Sequence, residues 1–520
     1  MSHINSTFVP ARDQLPRPFG RFTAIASVAT AATLFTAAVA GHAPGKEVTP
    51  TDPTSSPKPA GAAAAKPAEP DLVDQFHAIL LEQAGTPPAG GPAAADDCFA
   101  LLSRAIAQFE AAAIAAVGAQ DGKGVFIQGV WEPADKEPTD PDLVRQYGLG
   151  RKVMQHAAGS ECWATLDTLA ATRHFVFLKP PADLSKPLIL NLPGLRKLAR
   201  ACRAMMFLAS SRGDDASLIR HLRHGLALAR FADHDGTLIG RDYAESVEYL
   251  MLEELLFILS ERQLPSATLD QILEVFSAQP AFPPEHWHLR LLSIELRFIG
   301  SQLLTPEGTP RADAPPEKLA ALFGLDASEG TEKSLADQFR ERYPNPLSLS
   351  EQFSQITAAM DSFGRVIAVP RPSRTKSLSP DAIKGLITAR RNPLANLISY
   401  AWKPIRLDMH DRHLAFRNGT LAVLSLEQFR AANGKLPGSL AEAKLPDAAD
   451  PYSGLSFKYR LTDPAKEPGG RRYVVYSVGL DGKDDEGKVD PQCLHCDNAL
   501  RPYGSGQDFI INRPRSFLTP

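Results

Sequence analysis

A chain of 520 residues exceeds what one hydrophobic core usually organises, so two or more folded units are expected. Hydrophobic residues make up 44% of it, ordinary for a globular protein, whereas 44 prolines and 36 glycines point to stretches of linker. A formal net charge of -3 gives no electrostatic footprint for a polyanionic backbone, which argues against nucleic acid as a partner.

At the N-terminus Arg12, Arg17 and Arg21 oppose only Asp13, and an uncharged run from Phe22 to Gly41 follows. A basic flank, an Ala/Thr-rich apolar stretch and the small residues Ala38-Val39-Ala40 are the three parts of an export signal. The run of about 20 residues also suffices to cross a bilayer core as a helix. Residues 1–43 are therefore read as a signal peptide or a single membrane anchor. Either way the rest of the chain belongs in the periplasm or cell envelope, held to the membrane through residues 22–41 where the signal is retained.

Residues 44–95 form a Pro/Ala-rich linker interrupted by one short helix, and His42 to Pro70 holds a single branched apolar residue, Val48, and no Phe, Tyr or Trp, too little to offset chain ordering. Residues 96–405 then read as an α-helical domain, with apolar positions recurring at three- and four-residue spacing. Leu195, Leu198, Ala199, Cys202, Met205 and Met206 make one stripe, and Pro193 suits the first turn of that helix. Gly213-Asp214-Asp215 ends it and starts a second helix carrying Leu218, Ile219, Leu222, Leu226 and Ala229, which predicts an antiparallel helical hairpin. Thr268 with Gln271 and Ser348 with Glu351 match the capping-box spacing. Pro306 to Pro316 and Pro344 to Pro346 mark loops. Stacked helical hairpins are the architecture this pattern predicts.

Past Pro404 the character changes. Arg406 to Asn433 is one long amphipathic helix closed by Asn433-Gly434, and Phe457 to Leu461 and Tyr473 to Val478 are short strand-like runs. Residues 406–520 therefore form a small α+β domain, and the fold class is mainly α with that domain at its C-terminus.

Three segments carry a resemblance: Ala431-Ala432-Asn433-Gly434-Lys435-Leu436-Pro437, Asp450-Pro451-Tyr452-Ser453-Gly454, and Tyr476-Ser477-Val478-Gly479-Leu480-Asp481-Gly482-Lys483-Asp484-Asp485. In order and spacing they resemble the globular head of type II secretion major pseudopilins, where a long helix leads to a G-x-x-P turn, a D-P-x-x-G strand segment and a Y-S-x-G-x-D-G strand and loop. The whole chain resembles bacterial envelope proteins that join a helical body to a pseudopilin-like tail. The resemblance implies a calcium-binding C-terminal loop, for which Asp481 and Asp508 match the family's acidic positions and Asp484, Asp485 and Asp490 lie between them. Calcium takes roughly six to eight oxygen ligands, which carboxylates and carbonyls in such a loop can supply. Partners implied are envelope or secretion-system proteins. The pseudopilin glutamate for filament assembly has no counterpart after Gly20-Arg21-Phe22-Thr23, so the likeness is confined to the head.

Cys493-Leu494-His495-Cys496 reads best as a small disulfide in an oxidising compartment, and Cys98, Cys162 and Cys202 as buried thiols. The chain carries no HExxH, GxSxG, Walker A or dinucleotide-binding signature, and no catalytic residue is assigned. The i, i+3 pairs His221 with His224 and His410 with His413 lack further ligands at matching spacing, so they read as surface or core histidines. Glu295, flanked by Leu291, Leu292, Phe298 and Ile299, falls on an apolar helix face, with Arg241 as a candidate partner. Two readings follow: a non-enzymatic exported scaffold with a calcium-stabilised head, and an exported hydrolase or other enzyme with a helical-cleft site around Glu295.

Overall fold

The computed structural model describes residues 98–118, 141–172, 191–233, 238–278, 282, 285–326, 333–369, 371–374, 391–396, 404–443, 449–467, 470–487 and 508–513, and 71–79 in part. The export signal, the tether, the Cys493 to Cys496 motif and Asp490 lie outside them. What is described is mostly helical, with one small antiparallel sheet near the C-terminus.

Helices α1 (Cys98–Val117), α2 (Pro141–Ala157) and α3 (Cys162–Ala171) pack together and lead into the hairpin that the apolar stripes predict. Its first arm, α4 (Leu192–Ser211), is capped by Asn191, whose side chain accepts the Gly194 amide at 2.8 Å, with Pro193 in the first turn. Gly213 takes a left-handed φ of 71°, and Asp214 accepts the Ser217 amide at 3.0 Å to start α5 (Asp215–Asp233). The hairpin continues into α6 (Leu238–Glu261), close enough to α5 that a Cβ on Gly225 would lie 2.0 Å from the Met251 sulfur. Cys98, Cys162 and Cys202 are all buried here as thiols.

The next helix, α7 (Ser266–Ala278), begins before Thr268, so the capping box expected of Thr268 and Gln271 does not form. Thr268 instead donates its hydroxyl to Asp215 at 2.7 Å, joining α7 to the start of α5. The pairing of α8 (Glu285–Leu303) with α11 (Leu349–Ile367) encloses a second apolar core, shared with α9 (Pro316–Phe323) and α10 (Leu335–Arg342). The Ser348–Glu351 capping box forms in full at the start of α11.

Helix α12 (Pro404–Asn433) returns across α6 and α7, and Gly434 closes it with φ 70°. Strands β1 (Lys458–Leu461), β2 (Tyr473–Ser477) and β3 (Phe509–Ile510) pair antiparallel in that order, with Leu461 opposite Tyr473 and Ser477 opposite Phe509. All five β2 residues are buried, because the strand is covered on both faces. Tyr473 and Val475 join the core shared by α1–α7 and α12, whereas Val474, Tyr476 and Ile510 pack on the opposite face. Gly487 covers that opposite face: a Cβ there would lie 3.1 Å from the Tyr476 ring.

One glycine shows how closely sheet and helix approach. A Cβ on Gly419, mid-way along α12, would meet Ile511 carbons at 2.6 Å. Gly419→Ala is expected to lower stability by ~1 kcal/mol, because overpacking of about 1–3 kcal/mol outweighs the helix gain of about 1 kcal/mol. Gly148→Ala, in α2 with nothing within 4 Å, is expected to stabilise instead. Urea unfolding of the two variants reads the contrast, and equal effects would remove the close-approach argument.

Candidate functional site

The second and third motif segments meet around Asp450, which is 1% exposed. Its carboxylate accepts the Tyr452 amide at 3.1 Å, the Ser453 hydroxyl at 3.0 Å, the Ser477 hydroxyl at 2.8 Å and the Val478 amide at 3.4 Å. The aspartate of the D-P-x-x-G segment thereby holds both its own turn and the end of β2, where the serine of Y-S-x-G sits. Glycine is needed at Gly454 and Gly479, whose φ values of 69° and 64° are left-handed.

Beyond β2 the chain turns through the acidic loop. Asp481 accepts the Lys483 amide at 3.0 Å, closing a local Asx turn on the exposed surface. Asp484 accepts the Tyr476 hydroxyl at 2.9 Å and the Glu486 amide at 3.0 Å, and pairs with Lys458 at 3.1 Å. Asp508, just ahead of β3, is 4% exposed. Its Oδ2 accepts the Gly487 amide at 2.7 Å, and its Oδ1 is buried without a hydrogen-bond partner. Burial first, then the charges of Asp484 and Asp485, push the Asp508 carboxyl up to about 6 against the pull of the Gly487 and Asp485 amides. The structure thus brings Asp484, Asp485 and Asp508 into one field and leaves Asp481 engaged in its own turn. Among the described residues no three His, Cys, Asp or Glu side chains converge closely enough to hold a metal ion. An orphaned, buried, acceptor-only oxygen fits one corner of a calcium shell. Carbonyls, water or acidic groups beyond the described residues would have to supply the rest.

A second polar centre lies where α5, α6, α8 and α12 meet. Arg241, 2% exposed, donates to Asp233 at 3.0 Å and to Glu245 at 2.9 Å, with the Phe282 ring 4.4 Å from its guanidinium carbon. His288 Nε2 lies 3.2 Å from Asp233, and His410 Nδ1 3.8 Å from Glu245. Glu248 takes His413 Nε2 at 2.9 Å together with the Arg417 guanidinium. Burial alone would raise the Glu245 carboxyl, but Arg241 first, then His410 and His413, hold it well below the usual range. Burial lowers His413 to about 4, with Arg241 and His410 acting in the same direction against Glu245 and Asp233. Each of these carboxylates faces a cation or an imidazole, so the arrangement works as a set of buried clamps between helices.

Glu295 is half-buried on α8, whereas the two carboxylates hydrogen-bonded to Arg241 are Asp233 and Glu245. The i, i+4 spacing of Arg241 and Glu245, within a stripe of Ala244, Val247, Met251 and Leu252, was the available signal for this pair. Asp233 at the end of α5 offered none. His221 and His224 are both buried beside Trp163, and His224 Nε2 lies 2.7 Å from Asp167. Burial pushes both the Cys162 and the Cys202 thiols above their ordinary range, so neither is an activated nucleophile.

Arg241→Met is expected to cost about 3–5 kcal/mol, because it leaves two buried carboxylates without their cation. Urea unfolding at pH 7 reads the loss, and a change below about 1 kcal/mol would remove Arg241 as the clamp. His413, whose native value lies below its unfolded value of about 6.5, contributes stability that is present above pH ~6.5 and lost as pH falls toward 4. His413→Gln is expected to flatten that part of the pH–stability curve. No family model, curated protein or solved structure matches the chain, so the reading of both centres rests on these residues themselves.

Proposed function

We propose that this chain is a non-enzymatic, exported envelope protein: an interaction scaffold of the secretion apparatus or cell envelope, with a helical body and a pseudopilin-like head ordered by calcium. The observation that carries the head's part of the reading is the Asp508 carboxylate, 4% exposed, with Oδ1 unpartnered and Asp484 and Asp485 repelling it. A cation bound there would receive that oxygen, with Asp484 and Asp485 as nearby carboxylates, and would relieve the repulsion among the three. The chemistry calcium supplies is charge neutralisation and loop ordering. The remaining work of the site falls to Asp450, Ser477 and Tyr476, which fix the ends of the loop against β2.

The buried clamps support a scaffold in a second way. Asp233, Glu245 and Glu248 are each engaged in fixing α12 or its neighbours, so their charges serve helix register. The export part of the reading rests on the basic flank and apolar run of residues 12–41.

Full-length protein titrated with calcium tests the head. Saturating calcium is expected to raise the thermal midpoint by several degrees, since a ligand at a hundred times its Kd contributes about 2.7 kcal/mol. Asp508→Asn is expected to abolish the rise. Because Asp508 holds its proton up to pH about 6, calcium should bind more weakly at pH 5 than at pH 7.5. In the cation-free protein the dependence runs the other way: a raised carboxyl stabilises below pH ~4, and that contribution is lost as pH climbs through 6. Identical midpoints in calcium and in chelator would overturn the calcium assignment. Crosslinking in intact envelopes tests the role: recovery of secretion components is expected, and fractionation of the chain with the cytoplasm would end the proposal.

A further inference from the structure

A cavity of about 140 Å³ opens between the C-terminal end of α6, the last turns of α12 and the start of β2, and none of the carboxylates discussed for calcium lines it. It is lined by four arginines, Arg262, Arg430, Arg471 and Arg472, against two glutamates, Glu261 and Glu427. The space exceeds a single water and is of the order that admits a small polyatomic guest.

Arg262 and Arg471 are engaged elsewhere, and the donors open to the cavity belong to Arg430 and Arg472. Arg262 pairs with Asp215 at 2.7 Å and donates to the Ser210 carbonyl at 3.4 Å, and Arg471 pairs with Glu467 at 2.9 Å. Arg430 pairs with Glu427, but its Nε–H is buried with no acceptor, on a residue only 9% exposed. Arg472 is exposed, and its guanidinium has no hydrogen-bond partner among the described residues. Glu427 is itself satisfied: Tyr473 donates to it at 2.7 Å and Arg430 pairs with it, so its charge is compensated before an anion enters. A buried guanidinium N–H without an acceptor is costly, and a planar donor fork suits an oxyanion bidentately.

We propose that this cavity binds a small tetrahedral oxyanion, free phosphate or sulfate, held by Arg430 and Arg472 and bridging the helical body to the sheet. The inference is independent of the calcium reading, since no residue is shared between the two.

Calorimetric titration of the full chain with sodium sulfate, at ionic strength fixed with sodium chloride, tests it. Saturable binding at one site is expected. Arg472→Gln, an exposed position whose replacement leaves packing intact, is expected to weaken it at least about tenfold, the effect of one lost charge-assisted hydrogen bond. Arg430→Gln should do the same, with folding checked by circular dichroism. Sulfate stabilises proteins generally through exclusion, so a thermal shift counts only where Arg472→Gln removes it. Anionic phosphatidylglycerol vesicles are expected not to displace sulfate, and displacement would overturn the assignment to a free ion. A non-saturable response, or equal affinity in wild type and Arg472→Gln, would overturn the site.

Discussion

Ionised groups are expensive to remove from water, and this protein buries a cluster of them where four helices meet. Several kcal/mol per ion are recovered only if every carboxylate finds a donor in good geometry. Arg241 binds two with one planar fork, and Arg417 binds a third, Glu248, with the His413 ring 2.9 Å from its other oxygen. The groups come from α5, α6, α8 and α12, so a one-residue slip of any of these helices would strand a charge. Apolar packing in the same region, Leu252, Leu255 and Phe416 among it, would tolerate such a slip far better. The clamp therefore sets register, and the apolar core supplies most of the favourable free energy around it.

Helix α12 carries that register to the sheet. Near its start Asp408 receives Arg412 at 3.0 Å and the Tyr452 hydroxyl at 3.3 Å, and Asp411 takes both terminal nitrogens of Arg374 at 2.6 and 2.7 Å. Near its end Glu427 receives Tyr473 at 2.7 Å. The D-P-x-x-G turn and the first residue of β2 are thus fixed at points almost twenty residues apart on one helix. A sheet held in this way is joined to the helical body through a common core, and the close contact of Gly419 with Ile511 completes the join at β3.

Much of this was legible because it depends on spacing along the chain. The α4–α5 hairpin, the Ser348 capping box, the single long helix ending at Gly434 and the two longer strands follow from periodicity and from residues with restricted backbones. Thr268 was misread because a cap pattern says nothing about an acceptor across space, and Asp215 supplied a better one. Strand β3 is two residues long, too short for alternation to register. Charge pairing was the least legible: Glu295 has apolar neighbours in sequence yet is half-buried, whereas Asp233 closes a helix and is fully buried. Burial of a polar residue is decided by which other elements arrive, and no local window contains that information.

Comparison of the buried carboxylates within this one chain sharpens the case at the acidic loop. Asp450 and Asp508 lie on the two sides of the end of β2, at 1% and 4% exposure. Asp450 has four donors within 3.4 Å, two amides and two hydroxyls, and needs nothing more. Asp508 has the Gly487 amide on Oδ2, with the Asp485 amide also acting on the carboxyl, and no hydrogen bond on Oδ1, while two further carboxylates raise its energy when charged. The sequence around it contains a hydroxyl donor, Tyr476, but that donor is turned to Asp484 at 2.9 Å. Local hydrogen bonding thus completes one aspartate and leaves the other a negative, buried and open-sided acceptor. A proton can fill that side below pH about 6, and the proposed calcium is the group that would fill it at neutral pH.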